Sequence, residues 1–132
     1  DAFAELLNSH PRLTYLESRV SGVGPSCWTR LHRPSPLLEL HLHFSAPEIS
    51  FLTEHAARIA TALPDLDVLT LTLDNCSLLD ADELVLALAA FRACPSLSTL
   101  NLEQWPERVG GVFEPAELDQ RLGGRVQLLV AT

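Results

Sequence analysis

One phrase recurs along this chain: a proline, a leucine two residues later, and a second leucine three residues beyond that. Copies begin at Pro11, Pro64 and Pro95, and Ser35 begins a fourth copy in which serine replaces the proline. A motif that returns roughly every 20 to 50 residues indicates a stacked array, because one unit cannot bury its apolar face alone. The sequence therefore predicts a fold built by stacking similar layers.

The segments between these phrases alternate between strand and helix patterns. Residues 38–44 alternate strictly between apolar and polar side chains, which is the period of a half-buried strand, whereas residues 49–63 place apolar side chains at helical spacing. The same patterns predict strands at 13–20, 38–44, 66–73, 97–102 and 125–131 and helices at 2–9, 49–63, 80–93 and 114–122. Residues 21–36 are predicted to be an irregular connection pinned by Trp28. Strands joined mostly by helices give a parallel sheet in an α/β fold.

One stretch of the chain matches the pattern Leu-x-x-Leu-x-Leu-x-x-(Asn or Cys)-x-Leu with one conservative change. The matching residues are Val68, Leu71, Leu73, Cys76 and Leu78. The chain therefore resembles leucine-rich repeat proteins of the ribonuclease-inhibitor-like kind, and the cysteine–proline join at 94–97 is similar to the cysteine-containing repeats of F-box proteins. The resemblance covers about residues 10–131. It implies a leucine-rich repeat solenoid with a parallel sheet of about five strands on the concave side and helices on the convex side.

The repeat also predicts which strand residues lie side by side. The predicted inward layer consists of Leu16, Leu40, Leu71, Leu100 and Leu128. Leu71 is chosen over Leu69 because it puts Cys76 at the Asn-or-Cys position of the resemblance. On the outward face, this alignment predicts a column made of Glu17, His41, Thr72, Asn101 and Leu129. The predicted partner-binding residues are Tyr15, Glu17, Glu39, His41, His43, Thr72, Asp74, Asn101, Glu103 and Trp105.

The charge balance narrows the class of partner. Seventeen acidic and nine basic side chains give a formal net charge of -8. A phosphate backbone needs clustered lysine and arginine, so nucleic acid is not expected as a partner. No apolar run reaches the roughly 20 residues that a membrane helix needs, so no membrane partner is expected. We expect another protein as the partner, with a basic surface favoured for encounter.

Cysteine usage and the first residue bear on the compartment and on the size of the parent protein. The three cysteines, Cys27, Cys76 and Cys94, match no zinc motif and no disulfide framework. We therefore expect reduced thiols in a cytoplasmic or otherwise intracellular protein. A length of 132 residues fits one leucine-rich repeat domain over residues 1–132. Because the sequence begins with Asp1 rather than Met, we expect this domain to be a fragment of a longer array.

Two groups of residues invite a chemical interpretation. His41 and His43 share one strand face and could bind zinc with His55 or His32, and Cys27 beside Trp28 could be a nucleophile. No carboxylate or signature at a matching spacing supports either interpretation, so we expect a solvated strand face, no metal, no cofactor and no enzymatic activity.

The sequence thus favours a protein-interaction module that binds through its concave strand face. By analogy with F-box proteins, this could be a substrate-receptor fragment of a ubiquitin ligase. The alternative is a small metal- or thiol-dependent α/β enzyme that uses His41 and His43, or Cys27. A further possibility is end-to-end self-association through the last strand, which lacks an obvious polar cap.

Overall fold

The fold alternates strands with helices along the chain. The computed structural model describes residues 2–20, 27–45, 49–75, 81–103, 115–123 and 125–130. The strands are β1 (Tyr15–Arg19), β2 (Glu39–Ser45), β3 (Val68–Asn75), β4 (Thr99–Glu103) and β5 (Gln127–Val130). The helices are α1 (Ala2–Ser9), α2 (Ile49–Ala62), α3 (Ala81–Ala89) and α4 (Pro115–Arg121). Short 3₁₀ turns occupy Cys27–Arg30 and Ala90–Ala93.

The described strands form one sheet in which every neighbouring pair is parallel. Their order in the sheet, β1-β2-β3-β4-β5, is their order along the chain. Each connection therefore advances the chain by one strand in the same direction. The predicted α/β fold with a five-stranded parallel sheet is confirmed.

The strand alignment differs from the sequence prediction at β3. Leu40 pairs with Leu69, and Leu69 pairs with Leu100, so the choice of Leu71 was wrong. Leu69 and Leu71 have the same parity and both are fully buried, so burial alone could not separate them. The register shifts between Phe44 and Ser45, so that Ser45 pairs with Asn75 and β3 absorbs an extra residue at its end. The corrected column is Glu17, His41, Thr70, Asn101 and Leu129, and Thr72 lies instead beside His43 and Glu103.

A ladder of backbone hydrogen bonds fixes this register just before each strand begins. The carbonyl of Thr14 accepts from the amides of Leu38 and Glu39, and the carbonyl of Leu38 accepts from the first residues of the next unit. The carbonyls of Asp67 and Ser98 continue the ladder to β4 and β5. Because one position in every unit makes the same contact, the units repeat in structure as well as in sequence.

One face of the sheet and the described helices share a single apolar core. Strand side chains such as Leu40 and Leu100 lie in the same cluster as Leu52 and Ile59 of α2 and Phe91 of the 3₁₀ turn, all of them at most 1% exposed. Burying one such side chain contributes about 1.5–3 kcal/mol. The repeated leucines therefore stabilise the fold layer by layer, and the described helices all lie on the leucine side of the sheet.

The described part of the connection before β2 is held by the Trp28 indole. Residues 21–26 of the predicted irregular connection lie outside the described residues, and residues 27–30 form a 3₁₀ turn. Trp28 lies in the 3₁₀ turn, packs edge-to-face on Phe3 at 5.7 Å between ring centroids, and donates its Nε1–H to Nδ1 of His55 at 3.0 Å.

At the other end of the chain, Gly123 follows α4 with a φ of 77°, a conformation that suits glycine at a helix C-terminus. Among the described helices, none combines the length and the apolar character needed to cross a membrane.

Candidate functional site

The face of the sheet opposite the leucines is polar. Because strand side chains alternate, each inward leucine is flanked by two outward residues. We call this surface the polar strand face; it consists of Tyr15, Glu17, Arg19, Glu39, His41, His43, Thr70, Thr72, Thr99, Asn101, Glu103 and Gln127, with the apolar Val68 and Leu129 in the same columns. Eight of the ten predicted binding residues belong to it. Trp105 and the side chain of Asp74 lie outside the part of the chain that the structure describes.

At the β1 end of this face, Glu17 is the centre of a hydrogen-bonded group. Its Oε2 lies 2.8 Å from Nε2 of His43, and its Oε1 accepts the Tyr15 hydroxyl at 3.2 Å. Oε1 also lies 3.6 Å from Nδ1 of His41. The His43 hydrogen bond, followed by the Tyr15 hydrogen bond, lowers the pKa of Glu17. Glu17 is therefore ionised at neutral pH.

A second chain of contacts runs from β2 across β3 to β4. Nε2 of His41 lies 2.6 Å from Oγ1 of Thr72, and the Thr72 hydroxyl donates to Oε2 of Glu103 at 3.4 Å. An ionised carboxylate only accepts, so Thr72 is the donor in its 3.4 Å contact with Glu103, and the tautomer of His41 that agrees with this contact has Nε2 donating to Thr72. Nδ1 is then the unprotonated nitrogen of a neutral His41, and it is the atom that faces Glu17.

The two histidine rings stack on each other. Their centroids are 4.5 Å apart and their planes differ by 18°. Both side chains are largely covered, at 15% and 22% exposed, and Thr72 is 2% exposed. Beside them, Asn101 donates to Thr70 at 3.2 Å. Cross-strand contacts therefore hold most of this face in a defined arrangement.

This arrangement offers two kinds of chemistry. The face presents carboxylates, a tyrosine hydroxyl and an amide to another surface, and these groups suit hydrogen bonding to a protein. One donor atom from each of Glu17, His41 and His43 also lies within 4.8 Å of the other two, and this set of ligand types can hold a metal ion. Sequence reasoning found the two histidines but did not identify the carboxylate. The signal was present, because the predicted column already placed Glu17 beside His41.

The other sequence candidates lie elsewhere. His55 is 7% exposed and accepts from Trp28 on the helix side of the sheet, and burial lowers its pKa. His32 follows the 3₁₀ turn on that side. Neither approaches His41 and His43.

The Cys27 thiol is fully buried, which raises its pKa to about 11, and the pKa of Cys94 is raised to about 11 in the same way. Both thiols are protonated at neutral pH, so Cys27 has no support as a nucleophile.

Sequence reasoning missed one further feature, a groove of about 600 Å³ between the 3₁₀ turn and α2. Its lining includes Trp28, Leu31, Arg33, Arg58 and Thr61. The two arginines make it a cationic surface on an acidic chain. No local periodicity could have predicted it, because its walls come from segments about 25 residues apart.

The outer strand β5 bears on self-association. Leu129 and Val130 are 47% and 39% exposed there. End-to-end association through this strand stays a prediction.

Comparison of the chain with protein-family models, with curated proteins and with solved structures finds no match.

Proposed function

We propose that this chain is a protein-interaction module of the leucine-rich repeat class, and that it binds a partner protein through the polar strand face, which is the concave face of the proposed solenoid. The observation that carries the proposal is the sheet itself. Its five parallel strands follow chain order, bury one row of leucines per unit, and leave the opposite row of polar side chains facing outward. In such an array, that row is available for recognition.

The polar strand face is suited to binding because much of it is ordered in advance. Side chains that already make cross-strand hydrogen bonds lose less conformational entropy when a partner arrives. Tyr15 is 49% exposed at one edge, and tyrosine is a frequent anchor of protein interfaces. The carboxylates of Glu17, Glu39 and Glu103 favour a basic partner surface, chiefly through faster encounter.

A narrower form of the proposal is that the chain is a substrate-receptor fragment of a ubiquitin ligase. Its support is the cysteine–proline join at residues 94–97, which resembles F-box repeats. In this form the bound protein would be a ligase substrate.

The test identifies a partner and then changes one face at a time. Affinity capture from cognate lysate, with mass spectrometry, supplies a candidate whose affinity is then measured with purified proteins in the presence of EDTA. The strand-face variant carries Tyr15→Ala, Glu39→Ala and Asn101→Ala, and the control carries Arg33→Ala and Arg58→Ala in the groove. We expect the strand-face variant to lose at least about 30-fold in affinity, since one hot-spot residue is worth about 2 kcal/mol or more.

The control variant should bind as the wild type does, and circular dichroism should show that both variants are folded. Loss of binding in the groove variant alone would move the interface to the helix side. In that case the proposal for the polar strand face would be wrong.

The alternative function is a small metal-dependent α/β enzyme, and one observation favours it: the Glu17, His41 and His43 cluster. The cluster lies on the strand face, whereas two described cavities are lined by residues of the helix side and the connections. Neither of these two cavities includes Glu17, His41 or His43, so we favour the interaction module.

A further inference from the structure

We propose that Glu17, His41 and His43 form a binding site for a divalent transition-metal ion, and that Zn²⁺ is the ion that suits it. The proposal does not rest on the protein-interaction function. It concerns the isolated chain and uses residues from two neighbouring strands, β1 and β2.

The distances are close to those that zinc requires. Zinc bonds imidazole nitrogen and carboxylate oxygen at about 2.0–2.2 Å, so two donors of a tetrahedral site lie about 3.3 Å apart. Here Oε2 of Glu17 is 2.8 Å from Nε2 of His43, and Oε1 is 3.6 Å from Nδ1 of His41. One donor atom of each residue lies within 4.8 Å of the others. The three donors are therefore close together, and a turn of one histidine ring would be needed to bring all of them to bonding distance of one ion.

The proton arrangement leaves an electrostatic gap between His41 and Glu17. In the tautomer of His41 whose Nε2 donates to Thr72, the lone pair of Nδ1 in the neutral ring faces an ionised carboxylate oxygen. Two electron-rich acceptors at 3.6 Å attract whatever positive charge can lie between them. A divalent cation satisfies both acceptors together.

The proposed ligands also have partners that orient them. Metal-binding histidines almost always donate their second ring nitrogen to an oxygen, and metal-binding carboxylates are hydrogen-bonded in turn. His41 has such a partner in Thr72, whose hydroxyl is itself directed to Glu103. Glu17 accepts from the Tyr15 hydroxyl at 3.2 Å. These contacts hold Nδ1 of His41 and the Glu17 carboxylate in position.

Ion binding requires two changes. The ionised Glu17 carboxylate only accepts, so Nε2 of His43, 2.8 Å away, carries a proton that must leave this nitrogen before it can bind an ion. The second change is in the rings and can be measured. Imidazole lone pairs lie in the ring plane, so two rings stacked at 18° cannot both point at one ion. Either ring must turn out of the stack, which the partly exposed side chains of His41 and His43 allow. Binding should therefore move the ring-proton NMR signals of these two histidines.

The set of donor atoms identifies the kind of ion. Two imidazoles and one carboxylate suit Zn²⁺ and its transition-metal neighbours, whereas Mg²⁺ and Ca²⁺ prefer oxygen ligands throughout. Three protein ligands leave at least one coordination position open, which water would fill in the isolated chain.

The experiment titrates the reduced 132-residue chain with ZnCl₂ by calorimetry and with Co²⁺ by absorption spectroscopy. We expect one ion per chain and a dissociation constant below about 0.1 mM. His43→Gln and Glu17→Gln should each weaken Zn²⁺ binding more than about 100-fold, and Thr72→Val should weaken it about 10- to 100-fold. His32→Gln and Glu39→Gln are the matched controls and should bind as the wild type does.

Folding of each variant is checked by circular dichroism, and the NMR shifts of the wild-type histidines test the site without any variant. Binding that His43→Gln leaves unchanged would overturn the proposal. A thiolate-to-cobalt charge-transfer band would do so too, because it would assign the ion to a cysteine. The titration contains no partner protein, and partner binding is measured in EDTA, so each proposal can fail while the other stands.

Discussion

Arg125 links the last described unit to the unit before it, and its replacement tests how much this link contributes to the stability of the fold. Its guanidinium donates to three backbone carbonyls at the end of the preceding 3₁₀ turn: Arg92 at 2.8 Å, Cys94 at 2.9 Å and Pro95 at 2.6 Å. The last carbonyls of a helical segment lack partners within the segment, and a cation near them is favourable. Arg125, which precedes β5, therefore caps the C-terminal end of the 3₁₀ turn that precedes β4.

The size of the effect follows from exposure. A hydrogen bond to a charged group contributes about 1.5–3 kcal/mol when water is excluded. The bonds to Arg92 and Pro95 are exposed, so water replaces most of what they contribute, while the bond to Cys94 is partly buried. We expect Arg125→Ala to lower the free energy of unfolding by about 2 kcal/mol. For a chain of 132 residues, this corresponds to a Tm lower by about 6–10 °C.

The control is another arginine of the same segment. Arg121 pairs with Glu117 at 3.3 Å on the exposed surface of α4, four residues apart. Such a pair contributes about 0.5 kcal/mol or less, so Arg121→Ala should change the stability little. Both variants alter the net charge equally. Urea and thermal unfolding measure the two effects, and equal stability losses would refute the capping role of Arg125.

Two further predictions concern buried groups on the helix side. Burial lowers the pKa of His55, so the unfolded chain binds its proton more readily than the folded chain does. The contribution of His55 to stability is thus intact above about pH 6.5 and is lost as the pH falls through its lower folded pKa. We expect urea unfolding to show a decline in stability as the pH falls below about 6.5, and His55→Gln should reduce this decline; identical profiles for the two proteins would contradict it. Burial also raises the pKa of the Cys27 and Cys94 thiols to about 11, so iodoacetamide should alkylate them only after unfolding, and rapid labelling of the folded protein, read by peptide mass spectrometry, would show that they are not buried.

The elements of this fold could be predicted from sequence because their signals are local. Alternation across residues 38–44 and helical spacing across 49–63 gave β2 and α2 to within a residue or two. The register could not be read in the same way. Leu69 and Leu71 both satisfy the inward parity, and the choice between them depends on backbone pairing with β2 and on the shift between Phe44 and Ser45.

The candidate site was predictable in its membership but not in its contacts. Strand parity placed His41 and His43 on one face and Glu17 beside His41, yet the shortest contact of Glu17 is a diagonal one, to His43. The difference comes from side-chain rotation, which no spacing in the sequence encodes. The Trp28–His55 hydrogen bond is equally non-local, since it joins an irregular connection to the buried side of α2.

The proposed partner-binding face and the proposed metal site both include the Glu17 carboxylate. Without a metal, Glu17 accepts from Tyr15 and lies within hydrogen-bond distance of His43, and it adds negative charge to the face offered to a basic partner. A bound divalent cation would reverse the local charge and turn at least one histidine out of the stack. Because the same side chains would be rearranged, ion and basic partner would oppose each other on electrostatic grounds, unless the partner supplied a ligand to the open coordination position. The proposed ion site on β1 and β2 thus lies within the proposed recognition surface.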